Sequence, residues 1–363
     1  MKPEAKFKNF IEKTKLLKGV DKILLGVSGG PDSLAMLNLF YDFKDYFNVE
    51  IAAAHLDHLF REESTAEADF VEKTAAEFNI SFFRKTVNIP KIVKEESLSA
   101  EAAARRERLK FFKEVIEKNS FDLIALAHHR DDQAETILLN LFRGSGLKGL
   151  RGIEVSSSYD KIRIIHPLLE FNKSEILAYC QQKELKPRFD SSNQESIYSR
   201  NVIRNEIFPI VEAKINPKAR EVIARNSKII AEEDKFLDRL AVEKFKVCSK
   251  KVENHKIEVD LNNLNKIDRV LQRRIFRHIY QKLNNNLDDL YLDHILEIEK
   301  LLKDKTTGRG VDLASNIRVE ISYSNLVFLK SNFLKDDLIE KKIKNDLDRI
   351  NKINSIYNLE IKI

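Results

Sequence analysis

Cysteine is almost missing from this chain: Cys180 and Cys248 are the only two in 363 residues, and they stand far apart. That excludes a disulfide framework and any C-x-x-C metal or redox pair. Long apolar runs are missing too. No stretch approaches the ~20 residues that span a bilayer, and the opening MKPEAKFKNF lacks the apolar core of a signal peptide. A cytoplasmic protein with no membrane partner is therefore expected. There is also no G-x-x-x-x-G-K-S/T loop, so the usual nucleoside triphosphate fingerprint is excluded. What remains, 43% hydrophobic and 33% charged, suits a soluble globular protein long enough for two or three domains. A net charge of +6 permits a polyanionic partner without requiring one.

Turn-forming residues are unevenly spread. Eight of the ten glycines lie between Gly19 and Gly152, and no proline follows Pro217, so the first part is turn-rich and the middle helical. In the first part the strand-like runs KILLGVS, EIAAAHLDH, ISFFRKTVN, DLIALAHH and KIRIIHPL alternate with helical ones. This is the pattern of a parallel sheet covered by helices, with its ligand site at the carboxyl ends of the strands. The expected fold is α/β: a parallel-sheet, Rossmann-like domain over 1–215, then a mainly helical domain over 216–332 with a small terminal hairpin. Residues 333–363 form a C-terminal extension expected to be weakly structured or truncated.

One turn stands out. In KILLGVSGGPDSLAMLNLF a buried strand runs into a helix through Ser28, Gly29, Gly30, Pro31, Asp32 and Ser33. The glycines admit positive φ and close approach of a ligand, the proline suits the first helical turn, and the helix N-terminus with two hydroxyls favours phosphate. By contrast, Gly144, Gly146 and Gly149 match G-x-G-x-x-G but follow a helical run. A dinucleotide fingerprint needs strand, turn and helix in that order, so this segment reads as a loop, whose Arg143, Lys148 and Arg151 can touch phosphate or lie solvated.

Other polar groups gather at neighbouring strand ends. The second strand ends in His55, Asp57 and His58, with Arg61 beyond. The two histidines lack the further ligands of a zinc site and suit base or ribose contacts or plain hydrogen bonding. After His128 and His129, Asp132 and Glu135 share one helical face at i, i+3. They can hold Mg²⁺ on a triphosphate, grip a substrate ammonium, or serve as cap and surface charge. Arg105 and Arg108 stand one turn apart, suited to phosphoryl charge or to pairing with Glu101 or Glu107. The segment PRFDSSNQESIYSRNVIRNEIFP gathers Asp190, Ser191, Asn193, Tyr198, Arg200, Asn201 and Arg204 just before the helical region, a cluster able to close over a nucleotide or clamp RNA.

Taken together, these residues resemble a known family. The loop Ser28–Ser33 resembles the S-G-G-x-D-S loop of the N-type ATP pyrophosphatases, the PP-loop superfamily. Within it, HLDHLFREES, EAAARRERLKFF, AHHRDDQAETILLNLFRGSGLKGLRGI, HPLL and DSSNQESIYSRNVIRNEIFP resemble the tRNA(Ile)-lysidine synthetases over about residues 20 to 215. The helical region and its hairpin are similar in layout to that family's tRNA-binding domain. The resemblance implies an ATP pyrophosphatase domain that uses ATP and Mg²⁺, with no metal ligand firmly assigned. It also implies an ATP-dependent carbon–nitrogen ligase acting on the CAU-anticodon isoleucine tRNA and free L-lysine, with a homodimer permitted. The wobble cytidine is adenylated on its C2 oxygen and attacked by lysine, giving lysidine, AMP and pyrophosphate, so that the tRNA reads AUA as isoleucine.

The same resemblance implies residue roles. Ser28, Gly29, Gly30, Pro31, Asp32, Ser33 and His55 would bind ATP; Asp32, Arg105, Arg108, Asp132 and Glu135 would be catalytic. Asp132, Glu135, Arg200, Asn201 and Arg204 would meet lysine or tRNA. Two other readings stand beside it: a non-catalytic, nucleotide-responsive RNA-binding protein on the same fold, and a tRNA thiolase, which the absence of C-x-x-C opposes. Longer relatives carry a further C-terminal domain, whereas this sequence reaches Ile363 soon after the hairpin.

Overall fold

The computed structural model describes residues 1–59, 64–96, 98–188, 199–287, 289–304 and 308–330. The expected extension over 333–363, and Arg61, Asp190, Ser191, Asn193 and Tyr198, lie outside them. The chain divides into two compact units between Glu232 and Glu233.

In the first unit the order is α1 (Pro3–Thr14), β1 (Lys22–Gly26), α2 (Pro31–Phe47), β2 (Glu50–Asp57), α3 (Ser64–Glu77), β3 (Ser81–Thr86), α4 (Ile89–Glu96), α5 (Ala100–Asn119), β4 (Leu123–Leu126), α6 (Arg130–Phe142), α7 (Leu147–Leu150), β5 (Ser156–Tyr159), β6 (Ile162–Ile165) and α8 (Lys173–Gln182). The short α9 (Ser199–Val202) runs through one π-helical stretch, Ile203–Ile207, into α10 (Phe208–Lys214). The long α11 (Ala219–Cys248) comes next, and the division between units falls inside it. A continuous helix carries no turn residue, so nothing in the local sequence marks that division.

The strands form one sheet in the order β3-β2-β1-β4-β6-β5, parallel except for the edge strand β5. Residues of β1 alternate between two cores. Ile23 and Leu25 face a layer with α1, α2 and α8, while Leu24 joins Leu109, Phe112 and Val115 of α5 on the other face. This double burial explains why β1 reads as an unbroken apolar run. From β1 the chain winds outward to β3 and then returns, through α4 and α5, to lay β4 on the opposite side of β1. Gly26 is thus in register with Ala54 on one side and Leu126 on the other, and the crevice of the sheet opens between the loops that leave β1 and β4.

The second unit holds β7 (Ser249–Val252), β8 (Lys256–Asp260), α12 (Leu261–Leu264), α13 (Arg269–Asn284), α14 (Leu292–Asp304), β9 (Gly310–Leu313), β10 (Ile317–Ser322) and β11 (Asn325–Lys330). The expected hairpin is present as β10 paired with β11, but it is part of a five-stranded antiparallel sheet, β7-β8-β11-β10-β9. Strands β7 and β8 come from a stretch read as helical. They are short and charged, and only Ile257 and Val259 alternate inward. Beneath the sheet, Ile275, Phe276 and Ile279 of α13 and Ile295 and Ile298 of α14 close the core. Glu299 is buried there, its carboxyl held down to about 2 by hydrogen bonds from Arg269 and then Arg273.

In the first unit α8 is tied to α2 by the Tyr179 hydroxyl, which donates to Asn38 Oδ1 at 2.6 Å with both side chains buried. Removing the hydroxyl strands a buried acceptor, so Tyr179→Phe is expected to destabilise this unit by about 1–2 kcal/mol. Adding Asn38→Leu should restore part of the loss, because both partners are then apolar. Hydrogen exchange at the α8 amides checks this; unchanged protection in Tyr179→Phe would contradict it.

Candidate active site

The turn after β1 is built by its own side chains. Ser33, on the first turn of α2, accepts the Ser28 N–H at 3.1 Å and donates to the Gly30 carbonyl at 3.0 Å. It therefore fixes the loop from behind, buried, while Ser28 is exposed. Gly29 has φ +86°, which favours glycine, and an added Cβ would lie a tight 3.3 Å from Val71 Cγ2. Gly30 precedes α2 with no side-chain cap and Pro31 opens the helix, leaving the first-turn N–H groups available to an anion. Asp32 projects from this turn, and Lys173 Nζ, from the start of α8, sits 2.7 and 2.8 Å from its two oxygens. Bare helix donors, an ammonium and a half-buried carboxylate suit a polyphosphate with Mg²⁺. Among the described residues no three His, Cys, Asp or Glu side chains converge on a metal position.

Beside it lies the start of α6, placed by the β1–β4 adjacency. His129 caps this helix: its Nδ1 accepts the Asp131 N–H, and its backbone N–H donates to Asp132 Oδ2 at 2.9 Å. Its Nε2 is 3.4 Å from Asp132 and 3.7 Å from Asp32, so the ring bridges the two acidic positions. Asp132 and Glu135 share one face, as their spacing requires, and both are buried. Their oxygens are taken by two arginines. Arg200 donates to Glu135 at 3.0 Å and Asp132 at 3.3 Å, and Arg204 to Glu135 at 2.6 and 2.8 Å and Asp132 at 3.0 Å. Burial pushes the Asp132 carboxyl up, but His129 and then Arg200 outweigh it and hold the group far below the usual carboxylate range. Arg204 lies on the π-helical stretch, a local widening common at functional sites. Its carbonyl accepts from Arg220, which also pairs with Glu212.

On the other flank Arg105 and Arg108 of α5 are solvent-exposed and, among the described residues, have no acidic partner. Of the two acids expected to compete for them, Glu107 is taken by Arg106, which also pairs with Glu96, while Glu101 acts on Arg108 only through its charge, without an ion pair among the described residues. Desolvation by the surrounding protein, then Arg105, pushes the Arg108 guanidinium below the ordinary value. The charge of Arg108 is felt by His55, His58 and His128, and that of Arg105 by His166. The α5 pair thus faces the carboxyl edge of the sheet.

The structure therefore gathers Ser28 to Ser33, Arg105, Arg108, Asp132, Glu135, Arg200 and Arg204 along one edge. His55 is buried, with Nδ1 2.8 Å from the Val27 carbonyl, and so braces the residue before the loop. Asn201 lies on α9 beside Arg200. Lys173 and Arg220 carry no motif, and His129 stands in the AHHRDDQAET run without a role of its own in the sequence reading. For Lys173 the available signal was the capping box Asn172-x-x-Glu175, which marks a helix start immediately before it.

A PP-loop domain family matches residues 1–211. The chain is 37% identical over 322 residues to the tRNA(Ile)-lysidine synthase of Caldanaerobacter subterraneus subsp. tengcongensis, spanning 88% of this chain and 68% of that protein. It is 33% identical over 358 residues to that of Clostridium tetani, spanning 98% and 74%. In fold it is similar to the U34-tRNA thiolase NcsA from Methanococcus maripaludis with its 4Fe-4S cluster, with a TM-score of 0.53 and 22% identity over 63% of this chain and 79% of that one. Here both cysteines are buried, one in each unit, and burial pushes each thiol up to about 11.

Three histidines at this edge are held neutral. Burial first, with His166 second, takes His128 down to about 3; burial and then Arg108 take His58 to about 4; burial takes His166 to about 4 despite its carbonyl contact. In the unfolded chain they regain values near 6.5. A lowered histidine pKa makes the native state bind fewer protons, so stability falls as pH drops below about 6.5 and goes on falling toward the native values. Histidine ring resonances assigned by single His→Gln variants should stay fixed for all three between about pH 8 and 5; a titration midpoint near 6.5 for His128 would refute this.

Proposed function

Since the chain belongs to the tRNA(Ile)-lysidine synthase family of ATP-dependent PP-loop ligases, we propose that it joins lysine to C2 of the wobble cytidine in the CAU-anticodon isoleucine tRNA through an adenylated tRNA. The observation that carries this reading is the meeting, on one sheet edge, of a phosphate-type loop with its Asp32–Lys173 pair and a buried two-carboxylate site. ATP is the first substrate. Its phosphates suit the α2 N-terminus and Lys173, with Arg105 and Arg108 facing the charge that builds on them. Mg²⁺, when bound, supplies further charge neutralisation, and Asp32 is the carboxylate suited to hold it.

In the first step the C2 oxygen attacks the α-phosphorus, the bond to the β-phosphate breaks, and pyrophosphate leaves. In the second, the neutral ε-amine of lysine attacks C2, the C2–O bond breaks with its electron pair leaving on AMP, and the amine gives up a proton. Asp132 and Glu135 suit the amine, because carboxylates attract the ammonium form, orient it and can accept the proton. Arg200 and Arg204 already donate to the same oxygens. Lysine therefore enters by competing with two guanidiniums, which can turn outward to the phosphates of the tRNA.

The test is incorporation of labelled lysine into CAU-anticodon isoleucine tRNA with Mg-ATP, counting label that survives mild alkaline deacylation. Asp132→Asn should lower kcat/KM at least about 100-fold, and Lys173→Met should raise KM for ATP about tenfold. Retention of ATP with no pyrophosphate released would sink the catalytic reading and favour a nucleotide-responsive RNA-binding protein.

A further inference from the structure

Beyond the end of α6 the chain presents an ordered surface that neither core uses. Leu141, Phe142 and Leu147 are exposed, Phe142 at 62%, and so are Arg143 and Lys148. From Leu141 to Arg151 there is no acidic residue and there are three basic ones. Among the described residues Arg143 and Lys148 make no ion pair. The loop is pinned: the Ser145 N–H donates to the Asn140 carbonyl at 2.9 Å, Asn140 Nδ2 to the Gly149 carbonyl at 2.8 Å, and Gln133 Nε2 to the Arg151 carbonyl at 3.0 Å. Apolar side chains are therefore held in water by a structured turn.

We propose that this surface docks the single-stranded anticodon loop of the RNA substrate, with Phe142 stacking on a base and Arg143 and Lys148 meeting the backbone. An exposed aromatic set among unpaired cations is the combination that single-stranded nucleic acid selects, and the lack of acids suits a polyanion and disfavours a basic partner. The position is set by the helix. Phe142 lies seven residues beyond Glu135, so it is on nearly the same face, two turns and about 10 Å further along the axis. A stacked strand rises about 3.4 Å per nucleotide, so a strand running along α6 from a cytidine that meets its amine beside Glu135 would bring a base about three nucleotides away to Phe142. This assignment rests on the RNA-modifying reading above and specifies where the loop on either side of the modified base is gripped.

Fluorescence anisotropy of the full chain with a labelled CAU anticodon stem-loop tests it. Phe142→Ala should weaken binding about tenfold and Phe142→Tyr should leave it unchanged. The double variant Arg143→Ala, Lys148→Ala should weaken binding and flatten its salt dependence by a log–log slope of about one. Thermal melts serve to verify folding, which these exposed positions should not disturb. Wild-type chain without measurable affinity for the stem-loop, or variants within twofold of wild type, would overturn the proposal, as would a change of oligomeric state in Phe142→Ala with RNA affinity intact. If stem-loop binding depends on these residues while wild type transfers no lysine to the tRNA, the docking surface stands and the ligase reading fails.

Discussion

The adjacency of β1 and β4 is the constraint on which the rest of the first unit depends. Their register, Gly26 beside Leu126, brings the chain out of both strands at the same level. The segment leaving β1 must then meet the segment leaving β4. The first is an uncapped helix start carrying Asp32; the second is a helix start whose cap, His129, lies within 3.7 Å of Asp32. Were β4 paired elsewhere, neither the loop nor the two carboxylates would change locally, yet the two halves of the site would not face each other.

Charge within this crevice is arranged in balanced groups. Asp32 is matched by Lys173, and the buried pair Asp132 and Glu135 by Arg200 and Arg204. A buried carboxylate left unmatched is costly, so the acids need cations whenever no ligand is present, and the arginines supply them. In the proposed reaction the same contacts acquire a second consequence. If the site works as proposed, its own arginines would disfavour a lone anion or a neutral side chain and favour a cation able to replace a guanidinium. Selection for an amine then arises from displacement as much as from attraction.

Local motifs made much of this legible. The Ser28–Ser33 turn and the i, i+3 carboxylates show themselves in sequence because their geometry is set by neighbours a few residues away. The alternation of strands and helices pointed to the parallel sheet for the same reason, and the decoy glycines were separable because they come after α6. What stayed hidden was tertiary. Lys173 meets Asp32 across a separation of 141 residues, and a lone lysine after an asparagine carries no mark of its partner. Strands β7 and β8 were masked by their charged, half-exposed faces, and the division between units by the helix that runs through it. The resemblance puts the arginines beside the substrate, but that they turn inward onto the acids depends on packing of α6 against α9 and the π-helical stretch that follows it.

Helix α6 links these levels. Its first turn is fixed by the His129–Asp132 capping box, its middle contributes Glu135, and the side chain of Gln133 donates to both the Arg151 carbonyl and Ser227 of α11. The helix is thus held at its start and along one side by contacts from three separate segments. Three kinds of constraint are thus carried by one short element: capping at its N-terminus, buried charge at its centre, and an acid-free turn at its end. That economy explains why the segment from His128 to Gly152 is the densest in motif of the whole chain, although only part of it contacts the crevice directly.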